Sequence, residues 1–499
     1  MSTPSEETTW HRVHPLTPAL RSWQMFVVLI VFVAQDLGQN VLSGRGVPSD
    51  LPSDLPSVRG RVLAGGGLVA LLVLGVGVLL AFLSWRFTRY RVTADALELQ
   101  QGVLSRRQRR APLDRLQAVD IVQPLLARIV GLARLTLEVA GGGDSRIELA
   151  YLTEKQARVL RSHLLASAAG IRYVEAEPPE APEQLAFSVP LARLLGSLAL
   201  SGPTITLVVG MACFTAAVVV LDQPGAFAGV VPTALGVGGA IWRRFTTGFG
   251  FQVATAPDGL RLRHGLLEHR TQTVPPGRVQ AVRLRQPLLW RLVGWWAVEV
   301  NVAGYGNTPG RGGERRGSLL LPVGTRDEAV AVLSFVLPDL GVDDENPGVV
   351  VDAGLTGTTR TGGFTGAPRR ARWVDPIGWR REGFRVTSNA LLLRRGVLHR
   401  TLDVVPHART QSCGVVQGPL QRRFGLASFT LHSTPGPVSP LVDHLASQVA
   451  AALLQDQVVR ARQARAAAGP ERWMERPAQQ PSASGPASGP LDQPAEPAE

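Results

Sequence analysis

The side chains best suited to chemistry in this sequence are arginines gathered around three recurring glycines. Arg106, Arg107, Arg109 and Arg110 follow Gly102; Arg261, Arg263 and Arg270 flank Gly265; Arg394, Arg395 and Arg400 flank Gly396. A guanidinium keeps its charge and presents a rigid fork of donors that fits phosphate. Near an anionic leaflet each contributes about 1 kcal/mol. The expected headgroup contacts are Arg106, Arg107, Arg109, Arg110, Arg270, Arg394, Arg395 and Arg400. A solvated charged strand face is the competing explanation.

No comparable constellation supports catalysis. Lys155 lies in TEKQ rather than behind a glycine-rich loop, and no H-E-x-x-H, C-x-x-C or G-x-S-x-G is present. His264, His269, His399 and His407 lie in or near two of the arginine-bearing turns, but the first turn has none, which argues against a metal. Cys213 and Cys413 are too few for a disulfide scaffold or a four-thiolate site. No catalytic residue, metal or cofactor is expected. Trp290, Trp295 and Trp296 suit a core rather than a base-stacking platform, so nucleic acid is not an expected partner.

The elements that must position these arginines divide into apolar segments and repeats. The chain has 499 residues, 45% hydrophobic and 18% charged, with mean hydropathy +0.10 and net charge +13. So few charges imply a membrane-embedded part. A spanning helix needs about 20 apolar residues, and four stretches approach this: 23–42, 62–85, 198–221 and 227–242. They predict two transmembrane hairpins, over 23–85 and 193–242. Arg86, Arg89, Arg91, Arg193, Arg243 and Arg244 flank them and place the soluble regions in the cytoplasm, although Arg45, Arg59 and Arg61 in the first hairpin's loop count the other way. Residues 1–22 are then cytoplasmic, ahead of an anchor rather than a cleaved signal. Asp36, the one carboxylate inside an apolar stretch, lies in QDLGQN near its end and suits the interface. Glycines around Gly65 and Gly236 suit close helix packing.

Three copies of one unit start at Tyr90, Phe251 and Phe384, with no gap between their landmarks. Gly102, Pro112, Arg115, Gln117, Gln123 and Gly131 recur as Gly265, Pro275, Arg278, Gln280, Gln286 and Gly294, and again as Gly396, Pro406, Arg409, Gln411, Gln417 and Gly425. Alternation at Leu97, Leu99 and at Leu135, Leu137, Val139 predicts half-buried strands. The first glycine of each copy suits a hairpin and the proline a strand edge. Thr153 with Gln156 and Thr325 with Glu328 are capping boxes for terminal helices, and Ser439–Pro440 resembles a helix start before LVDHLASQVAAALL. The expected repeats span 86–170, 243–340 and 376–462. Linkers at 171–192 and 341–375, the second flexible, and a disordered tail at 463–499 complete the chain. Small barrels, each closed by a carboxy-terminal helix, satisfy this pattern.

The run Tyr90-Arg91-Val92-Thr93, the hairpin glycine, then P-x-x-R-x-Q and a later glycine resemble the bacterial pleckstrin-homology-like domain. Paired apolar stretches before the first and second copies, none before the third, and Arg-Val-His-Pro-Leu at 12–16 resemble the YdbT type of membrane protein. The resemblance implies a bent seven-stranded barrel plugged by a helix, at the cytoplasmic face of a bacterial plasma membrane. The expected architecture is therefore a membrane-anchored α+β protein, with four transmembrane helices in two hairpins and three cytoplasmic barrels. The expected function is a non-enzymatic binding or assembly platform in contact with membrane lipid, with a role in envelope stress or antimicrobial tolerance. Its expected partner is a homo-oligomer or a smaller protein with the same domain. An anionic-lipid sensor and a transporter or channel subunit are the alternatives.

Overall fold

A computed structural model describes residues 10–18, 20, 75–93, 95–102, 107–139, 146–168, 183–221, 227–256, 259–303, 319–342 and 346–468. Its strands form four antiparallel sheets. The first contains β1 (His11–Arg12), β2 (Arg89–Val92), β3 (Ala96–Gln101) and β4 (Arg107–Pro112). The second contains β5 (Leu116–Pro124), β6 (Leu132–Val139), β7 (Arg146–Thr153), β8 (Gln184–Ser188), β9 (Gln252–Ala256), β10 (Gly259–His264) and β11 (Glu268–Val274). The third contains β12 (Val279–Pro287), β13 (Trp296–Val302), β14 (Leu319–Gly324), β15 (Thr365–Gly366), β16 (Gly383–Val386), β17 (Ala390–Arg395) and β18 (His399–Pro406). The fourth contains β19 (Ser412–Val416), β20 (Leu426–His432) and β21 (Leu441–Ala446).

The sheets do not coincide with the sequence repeats. The second sheet runs β7-β6-β5-β11-β10-β9-β8, so the last three strands of repeat 1 pair edge to edge with the first strands of repeat 2. The third runs β14-β13-β12-β18-β17-β16-β15 and joins repeat 2 to repeat 3 in the same way. Within a repeat, a 3-10 turn carries the chain from one sheet to the next: Leu113–Arg115, Pro276–Arg278 and His407–Arg409. Proline stands at or just before each turn, where its fixed φ ends the strand without wasting a ladder donor.

Each repeat closes a core between its two meanders, and the alternation read from the sequence fills it. Leu97 and Leu99 of β3 meet Leu135 and Leu137 of β6 in the first core. Leu262 meets Val282 and Val298 in the second, and Leu391 and Leu393 meet Phe429 in the third. Burying one such side chain contributes about 1.5–3 kcal/mol. The hairpin glycines Gly102, Gly265 and Gly396 have φ of +115°, +111° and +76°, a region that costs other residues strain.

Two parts of the expected architecture are corrected. Among the described residues the sheets keep open edges and no repeat forms a closed barrel; β5 and β12 pair with the following repeat instead of curling onto their own first meander. Four transmembrane helices are not found either. Among the described residues no single helix is long and apolar enough to cross a membrane, and Leu191–Ala199 with Gly202–Val218 passes that test only as a pair bent by 50°. The bend has a packing cause. Leu194 is buried against the second core, the Ser197 carbonyl accepts from Trp290 Nε1 at 3.1 Å, and Gly196 lies under Trp295, so this helix serves repeat 2. The partner helix Phe227–Gly248 carries Arg243 and Arg244 and ends against the same repeat, with Leu194 packed on Gly248. Stretch 23–42 and Asp36 lie outside the described residues, as does 62–85 except within the helix Gly75–Arg86.

The terminal helices are Glu154–Ala168, Arg326–Val336 and Ser447–Ala467. Both capping boxes form: Thr153 with Gln156 at 3.3 Å each way, and Thr325 with Glu328 at 2.8 and 3.2 Å. In repeat 3 the helix starts later than Ser439 suggests. Leu441–Ala446 completes the sheet as β21, because Val442 and Leu445 fill the third core. Segment 341–375 contains the helix Pro347–Leu355, capped by the Asn346 side chain on the Gly348 amide and buried through Val350, Val351 and Leu355. The tail from residue 469 lies outside the described residues.

Candidate interaction site

The arginine clusters separate into exposed and buried groups. Arg107 and Arg110 are exposed on β4, at the outer edge of the first sheet among the described residues. Beneath them the buried Glu98 of β3 receives Arg91 at 2.6 Å and stands 3.9 Å from Arg110, so part of this charge is neutralised locally. Arg106 lies outside the described residues. Arg270 is largely buried beside Glu268, 3.8 Å away. Arg394 is 0% exposed: its guanidinium donates to the carbonyls of Ala353, at 2.9 Å, and of Thr359, and lies over the Phe364 ring. Arg394 thus closes the carboxy-terminal end of the helix Pro347–Leu355. Carbonyl oxygens unsatisfied at a helix end attract such a cation.

Beside Arg394 lies a group that spacing did not reveal. Burial, then the nearby Arg400, Arg394 and Arg291, hold the Arg381 pKa down at about 10, and burial does the same for Arg394. Arg381 donates to the carbonyls of Gly357 and Gly354 at 2.8 and 3.1 Å. Nε of Arg381, Arg394 and Arg400, and both Nε and Nη2 of Arg291, are buried without a hydrogen-bond partner. Four guanidiniums from repeats 2 and 3 therefore crowd together with unused donors. Arg291 and Arg381 stand outside the hairpin pattern; the signal for Arg291 is its recurrence as Arg128 and Arg422, five residues after the second landmark glutamine, whereas Arg381 has no such mark. Arg395 is half-buried at the end of β17.

The landmarks assemble the joints between repeats. Val122 pairs with Arg270 and Gln123 with His269 across β5 and β11; Gln286 pairs with Arg400 across β12 and β18. In both joints the recurring glutamine therefore faces the fourth residue after the hairpin glycine. Its side chain braces the following turn: Gln286 Nε2 donates to Trp295 O at 3.3 Å and Gln417 Nε2 to Leu426 O at 2.8 Å, each just beyond the second landmark glycine. Gly131, Gly294 and Gly425 take φ of +67°, +69° and +58° there. The recurring arginine reaches backwards. Arg278 donates to Leu116 O at 3.0 Å and Arg409 to Gly277 O, each in the corner of the preceding repeat. Arg115, first in the series, is exposed and makes no such contact. Gln280 donates to Arg278 O at 3.3 Å within its own corner.

Further bonds lock each joint. Arg161 of the first terminal helix donates to Val119 O at 3.2 Å and to the Thr273 hydroxyl, gripping both β5 and β11. Arg283 of β12 binds both carboxylate oxygens of the fully buried Asp403 of β18, at 2.6 and 2.8 Å. Burial opposes the Arg283 charge, but Asp403 outweighs it and raises the pKa.

His264 and His407 have ordinary structural partners. Burial first, and Arg270 second, lower the His264 pKa to about 4; its Nδ1 lies 2.9 Å from Thr247 O and its ring stacks on Phe251. His407 Nε2 meets Thr387 O at 2.9 Å. Among the described residues no three His, Cys, Asp or Glu side chains cluster to hold a metal.

Three repeats of one strand-rich unit are what sequence comparison identifies: the bacterial PH domain matches residues 40–168, 191–337 and 363–462, and the chain belongs to that family. Among individual proteins, the chain is similar to the transmembrane protein YdbT of Bacillus subtilis, 23% identical over 270 residues. The match takes in 48% of this chain and 55% of that protein, about half the length of each. Family and relative together fit a membrane-associated, non-enzymatic role.

Proposed function

We propose that this chain is a non-enzymatic platform at the cytoplasmic face of a bacterial plasma membrane, on which its three PH domains act as one body to assemble proteins. The observation that supports this reading is the pairing of β5 with β11 and of β12 with β18, which couples the repeats through shared sheets rather than flexible linkers. Exposed apolar side chains on the helices Gly75–Arg86 and Gly202–Leu221, among them Leu79, Phe82, Val208 and Val209, suit contact with lipid or protein. Envelope stress and antimicrobial tolerance are the conditions under which to look for a phenotype. The test is fractionation of cells making the full chain, followed by cross-linking in the membranes. Recovery with membranes and discrete cross-linked protein complexes are expected. A chain that stays in the soluble fraction, or one that cross-links to nothing, sinks the proposal.

A second reading, anionic-lipid recognition, draws on the unused donors of Arg291, Arg381, Arg394 and Arg400. Buried guanidinium nitrogens left without an acceptor favour a bound anion such as a phosphate group. Its test is sedimentation of the full protein with phosphatidylglycerol or phosphatidylcholine vesicles across a salt series. Replacing Arg291 and Arg400 by Gln should remove the preference for the anionic vesicles; an unchanged preference rejects this site.

A further inference from the structure

Each joint in this molecule has two halves. One is the strand just after a corner, β5 or β12; the other is the strand just after a hairpin glycine, β11 or β18. By landmark spacing, β19 of repeat 3 is a half of the first kind and β4 of repeat 1 a half of the second. Among the described residues each is the outer strand of its sheet.

Exposure follows the same division. Val416 on β19 is 58% exposed, whereas its counterpart Val122 in the first joint is 1% exposed. Arg107 and Arg110 on β4 are exposed, whereas their counterparts Arg270 and Thr273 on β11, and Thr401 and Val404 on β18, are buried. Arginine on this edge does not itself prevent docking, since Arg270 is paired with Val122. The corner arginines provide an independent sign: Arg278 and Arg409 grip the preceding repeat, and Arg115 is exposed with no preceding corner to grip among the described residues.

We infer that β19 of one copy of this chain adds to β4 of a second copy, making a third joint of the same register and a head-to-tail assembly. The register of the two internal joints sets Val416 opposite Arg107, Val415 opposite Gln108 and Cys413 opposite Arg110. Arg115 of the second copy then reaches the His407–Arg409 corner of the first. There Thr410 O already accepts from Arg465 at 2.6 Å, and a carbonyl keeps a second lone pair for another donor. Unpaired strand edges are ready templates for such addition. Because the contact uses two different surfaces, it is heterologous and closes into a ring or extends as a filament. This inference rests on the assembly-platform reading and names its partner as a second copy.

The experiment uses the full chain with Cys213 and Cys413 replaced by Ser. Val416→Cys and Arg107→Cys are made separately, purified, then mixed and oxidised. Residues directly opposite in an antiparallel pair have Cβ atoms about 4.5–5.5 Å apart, close to disulfide reach. The mixture should give a covalent dimer that neither variant gives alone, and exchanging Arg107→Cys for Gln108→Cys should reduce its yield at least severalfold. A product formed equally by one variant alone, or no product in the mixture, overturns the inference. If the cross-link fails while the chain still forms complexes in membranes, the platform reading survives and only this pairing falls. A chain that is monomeric by light scattering and uncross-linked in membranes removes both.

Discussion

At the joint between β5 and β11, Asp120 and Gln272 occupy the positions that Arg283 and Asp403 occupy between β12 and β18. All four are buried, and in the second joint Arg283 and Asp403 form a bidentate ion pair with each other. Four residue pairs form the first joint and six the second, which also sets Leu284 against Leu402 and Val282 against Val404. The first joint is also held by Arg161 from the terminal helix and by Arg134, whose Nη2 lies 3.1 Å from Glu268. Two joints with one register and different side chains indicate that backbone pairing and hairpin geometry specify the contact. The side chains then set how tightly it holds.

The largest effect should come from breaking the buried pair. Asp403→Ala leaves Arg283 desolvated without its carboxylate, and removing one partner of a buried pair costs about 3–5 kcal/mol. Hydrogen exchange should show β12 and β18 losing protection while β5 and β11 keep theirs. Combining Arg283→Met with Asp403→Leu should recover most of the loss, since a well-packed apolar pair is often as stable as the ionic one.

Acidity should divide repeats 2 and 3 in opposite directions. Burial raises the Glu382 pKa to about 7, despite the amides of Gly396 and Asp443 donating at 3.2 Å each. Its folded pKa lies above the ordinary 4.5, so the stability it contributes is complete below that value and is lost as pH rises through about 7. The loss is up to about 3 kcal/mol. Glu382→Gln should flatten the denaturation midpoint of repeat 3 between those limits. His264 works the other way: its folded pKa of about 4 lies below 6.5, so its contribution is present above 6.5 and lost as pH falls through about 4. A repeat 3 signal independent of pH in the unmodified chain would reject the Glu382 assignment.

A hairpin substitution should be felt at the joint it feeds. A methyl group at Gly265, where φ is +111°, would run into the Glu268 carbonyl at the start of β11. Gly265→Ala should cost about 1–3 kcal/mol, typical of a strained backbone position. Exchange should rise in β10, β11 and β5, with β18 unaffected.

How far sequence reached follows from which contacts are local. The hairpin glycines, both capping boxes and the strand alternation are set by neighbours within a few residues, and the sequence displays them. Strand partners in different repeats leave no local mark, so the same landmarks suggested three barrels where the sheets run from one repeat to the next. Arg394 shows the limit for side chains. On β17 it reads as an exposed basic residue, but the carbonyls of Ala353 and Thr359 come from a segment whose glycines and threonines read as a linker. The stretch around Leu194 illustrates the same point, because its apolarity serves a protein core as well as it would serve lipid.

The smallest effect separates the joints most cleanly by salt. Arg134 is 22% exposed and Glu268 43% exposed, and pairs of that kind contribute roughly 0.2–1 kcal/mol. Arg134→Ala should therefore loosen the first joint by less than about 1 kcal/mol in dilute buffer. At about 1 M salt, where the screening length falls to about 3 Å, variant and parent should exchange alike at β5 and β11. The Asp403→Ala loss should persist at the same salt, because Asp403 is sealed from solvent and ions do not reach the vacated site. If salt erased both differences, Arg283 and Asp403 would have to be solvated, and the contrast between a screened joint and a buried one would fail.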